Sequence, residues 1–316
     1  MFEMTDNDQR IDVCAHKLKI QVSVVVAAKN ESLYVEEALL SIANQSGVSI
    51  EIIFVDDNSD DDTYKIATQI ALKYTHIRVF RNPNFGKCSA FNYGILQARG
   101  EYTCIFAGDD IMPTGSLAER YRVVVNAAGS AVDQPVVGLS KLITMSADRR
   151  YDGHIIPRAR GKGATSGVSP LMNRQALNLI FPTPEQLPNE DTWMELAVLH
   201  LPRFLIVHCD TFCCRWRVHG GNSINMAISF KEYNEKITIR MEALKLFMER
   251  FGAQLNSIDR KKLQEKIEIE NARRRGDWWA VMTADGALVD RLRALSITNS
   301  TLYEFRRRFY GILSGW

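Results

Sequence analysis

A chain of 316 residues with 46% hydrophobic and 24% charged residues is about twice the usual domain length and has an ordinary globular composition. This excludes a disordered, collagenous or disulfide-scaffold protein. The formal net charge of +2 lacks the concentrated excess of Lys and Arg that counterion-driven binding to nucleic acid requires.

Residues 1–19 read as a polar leader. Its start, MFEMTDNDQR, is acidic where a signal peptide is basic and then apolar, and no apolar run reaches membrane-spanning length, so a cytoplasmic, non-spanning protein is expected. Lys19–Ala28 is a β-branched strand, Lys29-Asn30-Glu31-Ser32 a loop, and Leu33–Asn44 an amphipathic helix. Ile50–Val55 repeats the pattern, running into Asp56-Asp57-Asn58-Ser59 and a helix from about Thr63 to Tyr74. A third strand is expected at His76–Arg81, a helix at Ser89–Ala98, and a fourth strand at Tyr102–Ala107 that ends at Gly108-Asp109-Asp110. Strands apolar on both faces and alternating with helices predict a doubly wound α/β sheet covered on both sides.

The texture changes after residue 135. Val136–Ser146 reads as strand, Gly161–Ser169 as a Gly/Ser-rich loop, Glu190–Leu199 as a helix and Phe204–Arg217 as strand. Residues 227–316 carry helical periodicity at Phe230–Phe251 and from Asp259 to about Met282. That last part holds 17 Lys and Arg against 12 Asp and Glu, out of 39 and 37 in the chain, which leaves 22 against 25 for residues 1–226. The expected organisation is a leader (1–19), two halves of one α/β domain (20–135 and 136–226) and a basic helical extension (227–316).

In doubly wound sheets, ligands bind beyond the carboxyl ends of the strands. Here those ends carry Asn30 and Glu31, then Asp56 and Asp57, then Asn84 to Lys87, then Asp109 and Asp110. Single Asp and Asn residues are ordinary loop and N-cap choices, but four strand ends with five carboxylates and one lysine form a set. Gly86-Lys87 is not a P-loop, because Arg81 stands where the first Gly would and Cys88 where Ser or Thr would hold magnesium; Gly161-Lys162-Gly163 is no dinucleotide fingerprint either. The cysteines, including Cys209, Cys213 and Cys214 beside His208, lack paired metal-ligand spacing and read as reduced and mostly buried. Tandem carboxylates at Asp109 and Asp110 would repel a diphosphate unless Mg²⁺ or Mn²⁺ bridges them. A metal-bound diphosphate is therefore the coherent ligand, with Asp57 placed to accept from a base N–H or a ribose hydroxyl.

These motifs, in this order, resemble the inverting family 2 glycosyltransferases of GT-A fold. The resemblance covers roughly residues 20–223. Val22–Glu31 (VSVVVAAKNE) looks like the family's opening strand and turn, and Val55–Thr63 (VDDNSDDDT) matches its Asp-Asp-x-Ser-x-Asp-x-Thr pattern. Asn84, Gly86, Lys87, Ala90, Asn92 and Gly94 fit its N-x-G-K-x-x-A-x-N-x-G segment. Thr165–Arg174 is similar to its acceptor-side loop, Asn189-Glu190-Asp191 to its base motif, and Arg217-x-His219-x-x-Asn222-x-Ser223 to its closing segment. Two positions depart: Ala27 replaces a common proline, and Ala107 replaces the first carboxylate of the usual Asp-x-Asp-Asp.

The resemblance implies a GT-A fold, a Rossmann-like mixed sheet, and a nucleotide-sugar donor, most often a UDP-sugar. It places Ala27, Lys29, Glu31, Asp57, Asn84, Lys87, Asp109 and Arg217 on the donor, and Asp110, Asp109 and His219 on a Mn²⁺ or Mg²⁺ ion. Asp191, beside Glu190, would be the general base that deprotonates a hydroxyl of a glycan or lipid-linked acceptor, in synthesis of a cell-surface polysaccharide or glycoconjugate. A catalytically silent nucleotide-sugar binder and a nucleotidyltransferase are the alternatives. In the tail, Tyr303–Trp316 (YEFRRRFYGILSGW), and Trp278 and Trp279 after Arg273-Arg274-Arg275, have the composition of segments that lie at a lipid surface. Peripheral contact with the inner face of the membrane, packing on the catalytic body and a homodimer interface all account for it.

Overall fold

The computed structural model describes residues 19–129, 134–218 and 228–308. Its first half alternates strand and helix as expected: β1 (Val22–Ala28), α1 (Val35–Ala43), β2 (Ile50–Asp56), α2 (Thr63–Ala71), β3 (Ile77–Arg81), α3 (Lys87–Gln97) and β4 (Tyr102–Ala107), after which comes a helix that the sequence reading does not assign, α4 (Ser116–Ala128). β5 (Val136–Met145), β6 (Ile155–Ile156), β7 (Leu171–Asn173), α5 (Arg174–Ile180), α6 (Asp191–His200) and β8 (Leu205–Arg217) follow. The strands form one mixed sheet in the order β3-β2-β1-β4-β7-β5-β6, with β8 pairing β5. β3, β2, β1 and β4 are parallel, whereas β7 runs antiparallel to both β4 and β5.

Every residue of β1 is buried, and the two-residue period of a strand divides them between two cores. Val25 and Ala27 face Phe91, Ile95 and Trp193 on one side. Val24 and Val26 face Leu39, Ile42 and Leu117 on the other. The apolar run thus makes a central strand, and its parallel neighbours Ile50–Asp56 and Tyr102–Ala107 bring their carboxyl ends to the same edge. After β4 the chain bridges to β8, where Ile111 and Arg215 exchange both backbone hydrogen bonds. This ties Arg217 to the end of β4.

The remaining helices are α7 (Phe230–Phe251), α8 (Ser257–Arg274), α9 (Trp278–Thr283), α10 (Leu288–Leu295) and α11 (Ser300–Arg308). α7 has the expected bounds, but the helix expected from Asp259 to Met282 is two helices. Gly276 takes a left-handed φ of 72°, and Asp277 caps α9 by accepting from the Ala280 N–H; a Gly after the last turn and an Asp before the next are stop and start signals. Nor is α7 remote from the sheet: Ala243, Leu244, Phe247 and Phe251 belong to the same core as Trp193 of α6. Tyr303 is buried against Phe230 and Tyr233, and residues 309–316 of the aromatic-basic segment lie outside the described residues. All five cysteines of the described residues are free and buried.

Candidate active site

The loops after β1 and β2 are locked together. The Asn30, Glu31 and Ser32 N–H groups donate to Ser59 Oγ (3.0 Å), Thr63 Oγ1 (2.8 Å) and Asp61 Oδ2 (3.0 Å), and Asn30 Oδ1 accepts from the Asp60 N–H. The later residues of the Asp-Asp-x-Ser-x-Asp-x-Thr pattern therefore shape the first loop, a role that sequence spacing alone does not disclose. Asp57 is buried and accepts from Asn82 Nδ2 (2.8 Å) and the Gly86 N–H (2.9 Å). It fixes the turn that starts α3 at Lys87.

At the end of β4, Asp110 is almost fully buried and accepts from the Arg217 N–H at 2.8 Å. Burial, then the adjacent Asp109 charge, push its carboxyl up to about 8. Burial and Asp109 likewise raise Glu31 to about 7. Both shifts have one physical origin, carboxylates crowded together away from water, which the opposing charges of Arg217 on Glu31 and Lys87 on Asp110 do not offset. The Arg217 guanidinium is committed elsewhere: Nε donates to the Asp109 carbonyl (2.7 Å), Nη2 to Glu37 (2.6 Å), and the group stacks over Tyr34.

The opposite wall is the N-terminus of α6. Glu190, 1% exposed, faces Lys87 Nζ at 3.3 Å through Oε1, while its Oε2 is buried without a partner. Burial raises the Glu190 pKa against the opposing Lys87 charge. Burial also opposes the Lys87 charge, but Glu190 and Asp191 outweigh it and hold the ammonium protonated. Asp191 accepts from the Gly167 N–H (2.9 Å) through Oδ1, and its Oδ2 lies 3.6 Å from Arg240 Nη2 of α7. Gly167 is required for that approach, since a Cβ there would lie 2.4 Å from Asp191 Oδ1.

The two walls enclose a cleft of about 690 Å³. Ala27, Lys29, Glu31, Asp57, Lys87, Asp109, Asp110, Glu190 and Asp191 all line it, so residues from distant parts of the sequence meet in one site. Asn84 is not among the lining residues; its side-chain amide reaches Glu185 at 3.4 Å. Arg217 braces the β4 loop from behind, and His219 lies outside the described residues. Sequence reasoning misses Glu195, Trp216 and Arg240, which also line the cleft. Glu195 stands one helical turn after Asp191, a spacing that puts both on one face; nothing local announces Arg240.

Among the described residues no group of three or more His, Cys, Asp or Glu side chains gathers in metal-ligand geometry. Asp109 and Asp110 offer two hard oxygen donors side by side, the donor chemistry of a divalent cation that takes its other ligands from phosphate and water. A cation-diphosphate unit at the β4 end would meet Asp109 and Asp110 in the same cleft that Asp191 lines.

The sequence profile described as Glycosyl transferase family 2 matches residues 23–171. A cholesterol galactosyltransferase of Borreliella burgdorferi is 32% identical over 103 residues, 33% of this chain and 29% of that protein. The chain spans about 30 to 40% of the length of the first curated relatives it matches. Staphylococcus aureus TarS 1-349, solved in complex with UDP-GlcNAc, superposes with a TM-score of 0.56 at 18% identity over 89% of this chain and 82% of that one. The mannosyltransferase PcManGT of Pyrobaculum calidifontis, in complex with GDP-Man and Mn²⁺, gives 0.55 at 14% over 95% and 78%. At these identities the structures establish the fold, a GT-A-like mixed sheet with helices beyond it. Residues 23–171 thus match the profile of glycosyl transferase family 2, within a GT-A-like fold.

Proposed function

We propose that this protein transfers a sugar from a nucleotide-sugar, with inversion, to a hydroxyl of a glycan or lipid-linked acceptor. The observation that carries the reading is the opposed arrangement of the cleft: Asp57, Asp109 and Asp110 on the strand-end wall and Asp191 on the wall facing it. A single displacement needs both. The acceptor oxygen forms its bond to the anomeric carbon as the bond to the diphosphate oxygen breaks, and the hydroxyl proton passes to Asp191. General-base assistance of this kind contributes about two to four decades in rate. A divalent cation held by Asp109 and Asp110 would neutralise the diphosphate leaving group. Asp57 would hold the nucleoside, and Lys87, protonated beside Glu190, would meet the phosphates. The UDP-GlcNAc bound by TarS supports a UDP-sugar, and the GDP-Man of PcManGT makes the base a matter for experiment.

The test is nucleotide release from a panel of UDP-GlcNAc, UDP-galactose, UDP-glucose and GDP-mannose, with Mn²⁺ or Mg²⁺. One donor should turn over, and Asp191→Asn should lower turnover by about two to four decades while leaving the thermal shift with nucleotide intact. A fully active Asp191→Asn enzyme would remove the base assignment.

The acceptor reading extends to location. No helix among the described residues is long and apolar enough to cross a membrane, but Trp278 and Trp279 are 52% and 64% exposed and lie with exposed Leu288, Val289 and Leu292 on packed α9 and α10. Aromatic and aliphatic side chains in a basic segment suit an anionic lipid surface, and contact with the inner membrane face would bring the cleft to lipid-linked acceptors. Co-sedimentation with phosphatidylglycerol vesicles at low salt should be lost in the Trp278→Ser, Trp279→Ser variant. A concentration-dependent dimer that the same variant abolishes would point to a homodimer interface instead.

A further inference from the structure

Beyond the family's own segment, the geometry assigns Arg240 of α7 as the positioning residue of the base, so that the helix following the sheet completes the active site. The inference rests on Asp191 being the base.

Asp191 has two oxygens and two fixed neighbours. Oδ1 takes the Gly167 N–H at 2.9 Å and Oδ2 faces Arg240 Nη2 at 3.6 Å. Arg240 is itself anchored, its Nε donating to Thr192 Oγ1 at 2.9 Å, so one guanidinium spans the first two residues of α6. Its place is set by packing: Arg240, Ala243, Leu244, Phe247 and Phe251 share one face of α7 by their spacing. Phe247 meets Trp193 edge to face at 5.4 Å, locking that face onto α6.

The charge setting explains why a cation is needed there. Glu190 precedes Asp191 and Glu195 follows one turn later, both on the cleft. A base must be ionised to take a proton, and here it does so among like-charged neighbours. Lys87 of α3 is engaged by Glu190 at 3.3 Å, whereas Arg240 stands within 4 Å of Asp191 itself. An opposite charge at that range favours the ionised carboxylate, and the Thr192 anchor fixes the guanidinium at the cleft wall beside Asp191.

Two measurements test this. The first needs no substrate: a thermal-melting cycle of wild type, Arg240→Gln, Asp191→Asn and the double variant. Arg240→Gln should lower the melting temperature by roughly 1–3 °C more in the wild-type background than in the Asp191→Asn background; additive effects would overturn the pairing. The second is the pH profile of nucleotide release from whichever panel donor the wild type turns over, with water as acceptor. Arg240→Gln should lower kcat and move its acid limb up by about one pH unit, with donor KM unchanged and Arg240→Lys partly restored. An unmoved acid limb, or an effect confined to KM, would overturn the positioning role. If the wild type turned over no donor, the transferase reading would fall and take the base role with it, while the melting cycle would still report whether the two charges are paired.

Discussion

Asp191 is oriented by a glycine it nearly touches. A Cβ on Gly167 would lie 2.4 Å from Asp191 Oδ1 and 2.7 Å from Glu190 Oε1, so Gly167→Ala must displace either the loop or the two carboxylates. The strand-end wall is untouched by that change. We expect kcat to fall about a hundredfold, the scale of a misplacement of roughly 1 Å, with UDP affinity by calorimetry unchanged. A G167A enzyme with wild-type kcat would show that this approach is dispensable. The residues of the strand-end wall are legible in the sequence because each sits at or just after the end of its own strand, where a local pattern marks it. Arg240 is not, because its position depends on how α7 packs on α6, a tertiary fact with no local signature. Asn84 shows the opposite limit: its place in a pattern is readable, but where its side chain points is not.

Among the elements, α7 carries the most consequence for the site. Phe247 is fully buried between Trp193 of α6 and Phe251, with ring centroids at 5.4 and 5.0 Å. Truncating a buried Phe typically costs about 3–5 kcal/mol, a large part of the roughly 5–15 kcal/mol that holds a domain folded. Phe247→Ala should therefore lower the melting temperature followed by circular dichroism and, by loosening the seat of Arg240, slow nucleotide release as well. Leu96→Ala, at an exposed position on α3, is the control and should do neither. The bounds of α7 are readable because its apolar stripe keeps one period from Phe230 to Phe251. The apolar pattern of α8 continues across Gly276-Asp277 and so predicts one long helix, but the stop and start signals there outweigh it. The short strands β6 and β7 leave no pattern, since two or three residues cannot display a period and their pairing partners are distant in sequence.

Over the whole molecule, the near-zero net charge conceals an acidic cleft, and this makes stability depend on pH in a definite direction. Glu31 and Asp110 titrate in the folded protein near 7 and 8, against ordinary values of 4.5 and 3.8. Their raised folded pKa values mean that the native state holds protons which the unfolded chain has already released, and stability then falls as pH rises. The contribution is fully present below about pH 4 and is lost progressively up to about pH 8, once both groups are ionised in the fold. A divalent cation acts on the other side of this balance. It binds the ionised carboxylates, must displace the protons to do so, and therefore binds more tightly as pH rises through the same window. The stabilisation given by Mn²⁺ with UDP, measured as the shift in melting temperature, should accordingly be larger at pH 8 than at pH 6. Asp110→Asn removes one of the two groups: it should flatten the fall in stability between pH 4 and 8 without metal and shrink the Mn²⁺-dependent shift. A Mn²⁺ shift that is independent of pH, or undiminished in Asp110→Asn, would mean that the cation does not sit on the β4 carboxylates.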